Sequence, residues 1–275
     1  MSASVTVSGR PRAAASGIKA WLKPLSGLRI LLPFAVVVAI WWAIKSGLEL
    51  DDRVLASPIQ VAIAAFQLAN RGILADYAAT SLKMMGIAAV ISALIGVPLG
   101  FAIGSNRIVA RALEATLRFL QGISGVAWLP LAIIWFGFSD TTKLTVVIYT
   151  LVVPIIVNTI LGVRAIPENY VLALQSLGAS RLRIMWDVYL PGALPSIVVG
   201  LRLGMGYGWR ALIAAEMLVR RGGLGDLIFG ARTFSQIDRI MVGMILIGLL
   251  YVIVDRLLVQ PIESMTLARW GVLRK

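Results

Sequence analysis

The chain contains neither cysteine nor histidine. Their absence removes disulfides, thiol nucleophiles, lipid attachment through a cysteine, and most transition-metal or imidazole acid–base chemistry. A metal-dependent or Ser-His-Asp membrane enzyme is therefore disfavoured, and no metal site is expected. Charge is also scarce: 14% of the 275 residues are charged and 59% are hydrophobic, far from a soluble globular profile. No G-x-x-x-x-G-K-[ST] run is present, so the chain cannot cradle nucleotide phosphates in that way. The first apolar run ends at Ile44–Lys45 without an A-x-A-like site, so the polar, basic start reads as a tail rather than a cleaved signal.

What the chain has in abundance is long uncharged runs: 30–44, 84–106, 119–139, 144–163 and 240–254. About 20 apolar residues at helical rise match the roughly 30 Å hydrocarbon core of a bilayer. The expectation is an all-α integral membrane protein with six transmembrane helices, at 28–47, 82–104, 119–139, 144–163, 193–217 and 239–259. The membrane domain then covers 28–260, between a cytoplasmic tail over 1–27 and another over 261–275. With both termini inside, the cytoplasmic segments hold fifteen Lys or Arg and the opposite side nine. The net charge of +13 is thus a topology signal, as the positive-inside rule expects, and not a nucleic-acid footprint. A bacterial inner membrane is the implied location, with lipid as surroundings.

Between the spans, Ser57-Pro58 followed by Ile59, Ala62, Ile63 and Phe66 predicts a capped amphipathic helix too short to span. It either packs over the bundle or helps to receive a partner. Small residues recur every four positions, at Gly96, Gly100 and Gly104 and again at Ser196, Gly200, Gly204 and Gly208. Such stripes let helix backbones approach closely in lipid; the alternative is an interface that moves. The loop over 218–238 predicts a short amphipathic piece around Leu227–Phe234.

The stretch over 164–190 is too polar to span. Pro167 stops the preceding span, Val171–Leu177 forms one short helix, and Gly178 breaks it. Ser180 caps a second helix over Arg181–Tyr189, which Pro191 ends. The product is a helix–Gly–helix elbow with a small apolar face of Leu172, Leu174 and Leu177, suited to a groove on another protein.

The spacing of Gly178, Val188, Leu190 and Pro191 resembles the EAA loop of ABC importer permeases. Along nearly the whole chain LASPIQV (55–61), AWLPLAIIWFG (127–137), SLGAS (176–180), LPGALPSIVVGLR (190–202), GWRALIAAEM (208–217) and GGLGDLI (222–228) resemble the nitrate/sulfonate/taurine branch of that family. The resemblance implies a type I ABC importer permease (MetI-like) fold and a dimer with a second copy of the permease. It also implies two cytoplasmic ATP-binding subunits that hold ATP and Mg, and a periplasmic or lipoprotein substrate-binding protein; this chain would bind no cofactor. The residues it assigns to coupling are Leu172, Ala173, Ser176, Leu177, Gly178, Ala179, Ser180, Arg181 and Pro191. The motif's Glu falls at Leu172 and its second Ala at Leu174, which leaves apolar contacts, with Glu168 or Arg181, to carry the docking. A proline common before the A-W-x-P run is replaced by Ser124, which predicts a less kinked third span with Pro130 as its remaining break.

Arg202, Arg210 and Glu216 fall within the fifth span. Arg202 and Glu216 lie about 40° apart around the helix, whereas Arg210 lies about 80° the other way. Intramembrane ions are costly unless paired or wetted. They therefore either line a translocation path, with Trp128 and Pro130, or are satisfied locally, Arg202 by an acid near the cytoplasmic end. If they line a path, two copies of Arg202 would favour an anion, and the resemblance implies an organic sulfonate such as taurine as the first-choice solute. Nitrate, bicarbonate or a vitamin precursor fit the same architecture, and an ion-coupled secondary transporter is the alternative of a different class.

Overall fold

The computed structural model describes residues 25–261, 263 and 264. Most of the two expected tails, 1–24, 262 and 265–275, lies outside the described residues. Among the described residues every regular element is helical. The chain divides into two units, Met1–Gln60 and Val61–Lys275. The first carries α1 (Leu25–Gly47), apolar over Leu32–Gly47, and the loop that follows. In that loop Trp41 Nε1 donates to the Ala56 carbonyl at 3.0 Å, and Lys45 pairs with Asp52 at 2.8 Å. Helix α2 (Pro58–Asn70) opens on a reciprocal cap: Gln60 N donates to Ser57 Oγ at 3.3 Å and Ser57 N to Gln60 Oε1 at 2.7 Å.

The second unit is built around one helix. The elements are α3 (Ile73–Ser105), α4 (Arg107–Gly122), α5 (Leu129–Phe136), α6 (Asp140–Arg164), α7 (Glu168–Ser176), α8 (Arg181–Ile184), α9 (Leu190–Val219), α10 (Leu224–Thr233) and α11 (Ile237–Val254). Helix α6 packs against both α3 and α9, and 56% of its apolar window is buried, against 11% for the span that contains α11. The two small-residue stripes are the two contacts that place it there. A Cβ on Gly100 would lie 2.5 Å from Thr159 Cβ, and one on Gly96 would lie 2.8 Å from Ile155 Cγ2. On the neighbouring face a Cβ on Gly200 would meet Asn158 Cβ at 2.7 Å, and one on Gly208 would meet Leu151 Cδ1 at 2.5 Å. In lipid there is no water to expel between helices, so close backbone approach and dispersion hold the bundle together. The core of Met85, Ala88, Leu151, Ile155, Trp209 and Leu212 fills the space that the stripes leave.

Among the described residues four helices are long and apolar enough to cross a membrane: Ile73–Ser105, Asp140–Arg164, Arg181–Val219 and Ile237–Leu257. A fifth arises if Arg107–Gly122 and Gly125–Phe136, bent by 87°, form one span. The expectation of a less kinked span over 119–139 is therefore corrected. Asn106 caps a helix that begins at Arg107, and the chain is extended at Ile123 and Ser124 before a 3-10 turn over Gly125–Trp128. Serine in place of proline does not remove the kink, because a glycine makes it: a Cβ on Gly125 would lie 1.7 Å from Thr150 Oγ1 of α6. Pro130 is not the break either; it sits in the first turn of α5, where a missing N–H costs nothing.

Candidate functional site

The elbow forms as its residues dictate, with one correction. Helix α7 ends in a Schellman motif: Gly178 N donates to the Gln175 carbonyl at 2.9 Å, and Ala179 N to the Leu174 carbonyl at 3.0 Å. Gly178 takes φ +74°, the left-handed conformation that glycine adopts without strain. Ser180 then caps α8, accepting from Arg183 N at 3.3 Å. Pro191 does not end this second helix. A π turn over Met185–Tyr189 carries it into α9, and the two form one helix of 39 residues, Arg181–Val219. The turn closes with a Leu190 N–Met185 carbonyl bond five residues back, and Pro191 follows it in the opening turn of α9. Widening the ladder there accommodates a ring that would clash in a regular α-helix.

No residue of α7 is buried. Leu172 is 55% exposed and Leu177 81%, Ala173, Ser176 and Arg181 are exposed, and Leu174 and Ala179 are half-buried. A short helix with leucines on its open side is not held by a core of its own. Leu172 also borders a cavity of 520 Å³ walled by Arg107, Arg164, Glu168, Gln175 and Tyr189. Glu168 faces Arg107 at 3.6 Å with both side chains largely in the open, a pair that contributes little. Arg164 is tied to Glu114 and so links the end of α6 to α4.

The three ionisable residues of α9 separate as their helical angles predict. Arg202 is satisfied locally: its Nε and Nη2 each donate to Asp255 at 3.1 Å, and its Nη1 donates to Glu263. This fork neutralises the guanidinium and fastens α9 to the turn after α11. Glu216 is fully buried, not on an open path. It accepts from Ser81 Oγ at 2.8 Å and from Gly225 N at 3.0 Å, and Leu224 N donates to Ser81 Oγ at 2.9 Å. Gly223 and Gly225 are explained by this contact, since a Cβ on Gly223 would fall 2.2 Å from the Glu216 carboxyl carbon and one on Gly225 2.8 Å from Glu216 Cβ. Lys143, also fully buried, pairs with Asp140 at 2.7 Å and donates to the Arg221 carbonyl at 3.3 Å, sealing the same end of the bundle.

Arg210 is different. It is exposed and lines a 560 Å³ cavity between the α4–α5 bend, α6 and α9, together with Gln121, Tyr149, Asn158 and Tyr207. Trp128 and Pro130 are not in the wall of this cavity, although the Trp128 ring centre lies 5.3 Å from that of Tyr149. Tyr149 Oη donates to the Leu120 carbonyl at 2.7 Å and so holds the bend against α6. Sequence reasoning missed Asn158, Tyr207 and Gln121. Asn158 had a visible signal, as the one side-chain amide in the uncharged run 144–163. Ser81 and Lys143 had none, because their meaning depends on partners 135 and 78 positions away.

The family model for the inner membrane component of binding-protein-dependent transport systems matches residues 96–259 of this chain. The taurine transport system permease protein TauC of Escherichia coli (strain K12) is 33% identical over 237 residues, 84% of this chain and 86% of that protein. The putative aliphatic sulfonates transport permease protein SsuC of the same organism is 35% identical over 260 residues, 94% of this chain and 96% of that protein. The nitrate import permease protein NrtB of Synechocystis sp. is 29% identical over 265 residues, 92% of this chain and 94% of that protein.

Proposed function

This chain belongs to the family of binding-protein-dependent transport system inner membrane components, and on that premise we propose that it forms, with a second copy of itself, the path for a small anionic solute. Membership makes it a non-catalytic, multi-pass inner-membrane permease subunit of an ABC importer of the nitrate/sulfonate/taurine family. That displaces the ion-coupled secondary transporter. The family works with ATPase and binding-protein partners; two ATP-binding subunits and one periplasmic or lipoprotein binding protein are the assembly we propose. An organic sulfonate such as taurine is the proposed solute, in keeping with the two sulfonate-type relatives. Nitrate is the second reading, favoured by the nitrate permease among the relatives. The chain would cross the membrane six times with both termini in the cytoplasm, α1 and the bent α4–α5 pair adding to the four long spans.

The observation that carries the proposal is the uncovered elbow at the head of a continuous 39-residue helix. At helical rise this element is about 58 Å long. The exposed Leu172 and Leu177 enter a cleft on the ATPase subunit, apolar contact replacing the motif's glutamate. Because α8 runs without a break into α9, a displacement of the elbow is passed to Leu203, Tyr207 and Arg210 in the wall of the cavity. Copurification of the ATPase subunit with a tagged permease tests this. The wild type retains the subunit, and Leu177→Arg loses it while still inserting into the membrane. Equal retention by Leu177→Arg and by a Leu172→Arg/Leu177→Arg pair would overturn the coupling role of the elbow.

A further inference from the structure

We infer that Arg210, and not Arg202, is the intramembrane cation that recognises the solute's oxyanion group, with the neutral hydrogen-bonding side chains of the same cavity shaping the fit. The inference rests on the permease reading above and names the recognition site within it. Among the residues that line the 560 Å³ cavity, Arg210 is the one charged side chain, and no carboxylate faces it there. The volume is within the ordinary range for small-molecule sites, about 300–1,000 Å³. Arg202, by contrast, has its charge consumed by Asp255 and Glu263. Arg210, Gln121 and Tyr207 make no side-chain hydrogen bond or ion pair among the described residues. Asn158 spends one amide proton on the Pro154 carbonyl at 2.9 Å, and its side chain makes no other hydrogen bond among the described residues.

The chemistry follows from this arrangement. A guanidinium presents a planar fork of donors that matches two oxygens of a sulfonate or a nitrate, and it is less strongly hydrated than an ammonium. A single cation surrounded by neutral donors attracts an oxyanion without holding it as tightly as a closed cage of cations, as a path that must also release its cargo requires. Arg210 stands on the helix that begins at the elbow, so the same displacement that passes along α9 also moves the cation.

The test uses the complete importer, permease, ATPase subunits and cognate binding protein, in proteoliposomes supplied in turn with taurine, ethanesulfonate and nitrate. The readout is solute imported per ATP hydrolysed. Arg210→Gln lowers this ratio about tenfold or more, the scale of one lost charge-assisted hydrogen bond, and Arg210→Lys falls between it and the wild type. Asn158→Asp, which keeps the shape and adds a negative charge to the wall, lowers it as well. A ratio unchanged in Arg210→Gln, with import and hydrolysis falling together or not at all, would overturn the inference while leaving the permease reading intact. A wild-type importer that carries none of the three anions would overturn the proposed solute class, and the inference with it.

Discussion

Replacing Gly178 by alanine separates backbone strain from steric contact at the elbow. Gly178 has φ +74°, and a Cβ built on it would find nothing within 4 Å. The cost of a side chain there is therefore conformational, about 1–2 kcal/mol for a residue forced into the left-handed region. That penalty corresponds to roughly a 5- to 30-fold fall in the fraction of elbows holding the docking geometry. Asparagine tolerates the region better than alanine, and a β-branched residue tolerates it worst. ATP-coupled uptake in proteoliposomes should accordingly fall in the order Gly, Asn, Ala, Val, with Leu close to Ala despite its size. Membrane insertion and the thermal stability of the purified permease should change little, because the residue is exposed and a Cβ there would touch nothing. A loss that instead followed side-chain volume, with alanine neutral and leucine severe, would refute the strain argument and point to a surface pressed against the glycine.

Gly100→Val should destabilise the bundle by about 1–3 kcal/mol, because its Cβ would stand 2.5 Å from Thr159 Cβ; a thermal melt in detergent measures this, with Gly86→Val, a position with nothing within 4 Å, as the tolerated control. Glu216→Ala leaves the buried Gly225 amide without its acceptor at a cost of about 1–3 kcal/mol, so protease nicking in the 220–226 loop should accelerate, whereas Glu216→Gln keeps an acceptor and should lie nearer the wild type. In the first unit, hydrogen bonds from Lys45 and then from Gln60 hold the Asp52 carboxyl below its ordinary value. A folded pKa lowered in this way contributes fully above the ordinary aspartate value of about 4 and is lost as pH falls through the lowered one. Proteolysis of the 48–57 loop should therefore stay constant down to that region and rise below it, and Asp52→Asn should remove this acid dependence.

Membrane residence, the elbow and the capped helix at Pro58 were legible in the sequence, because each depends on residues close together in the chain. Ser57 and Gln60 are three positions apart, and the whole Schellman turn at Gly178 lies within six residues. The glycine stripes announced close packing, but only the fold shows that both press on α6, on neighbouring faces that meet at Ile155. The bend at Gly122–Gly125 was not legible, since the uncharged run continues through it and its cause is the approach of Thr150 on another helix.

Local composition and periodicity by themselves determined that this chain is helical, lives in a bilayer and offers a glycine-broken elbow outside it. Only the tertiary structure decided what its intramembrane charges do. The spacing of Arg202, Arg210 and Glu216 on one helix set only which face each occupies, whereas Asp255 with Glu263 neutralises the first and Ser81 with Gly225 N encloses the third. The remaining guanidinium faces a cavity. The physical reason is that a charge in the membrane is defined by its partners, and these come from helices far along the chain that meet only when the bundle is packed.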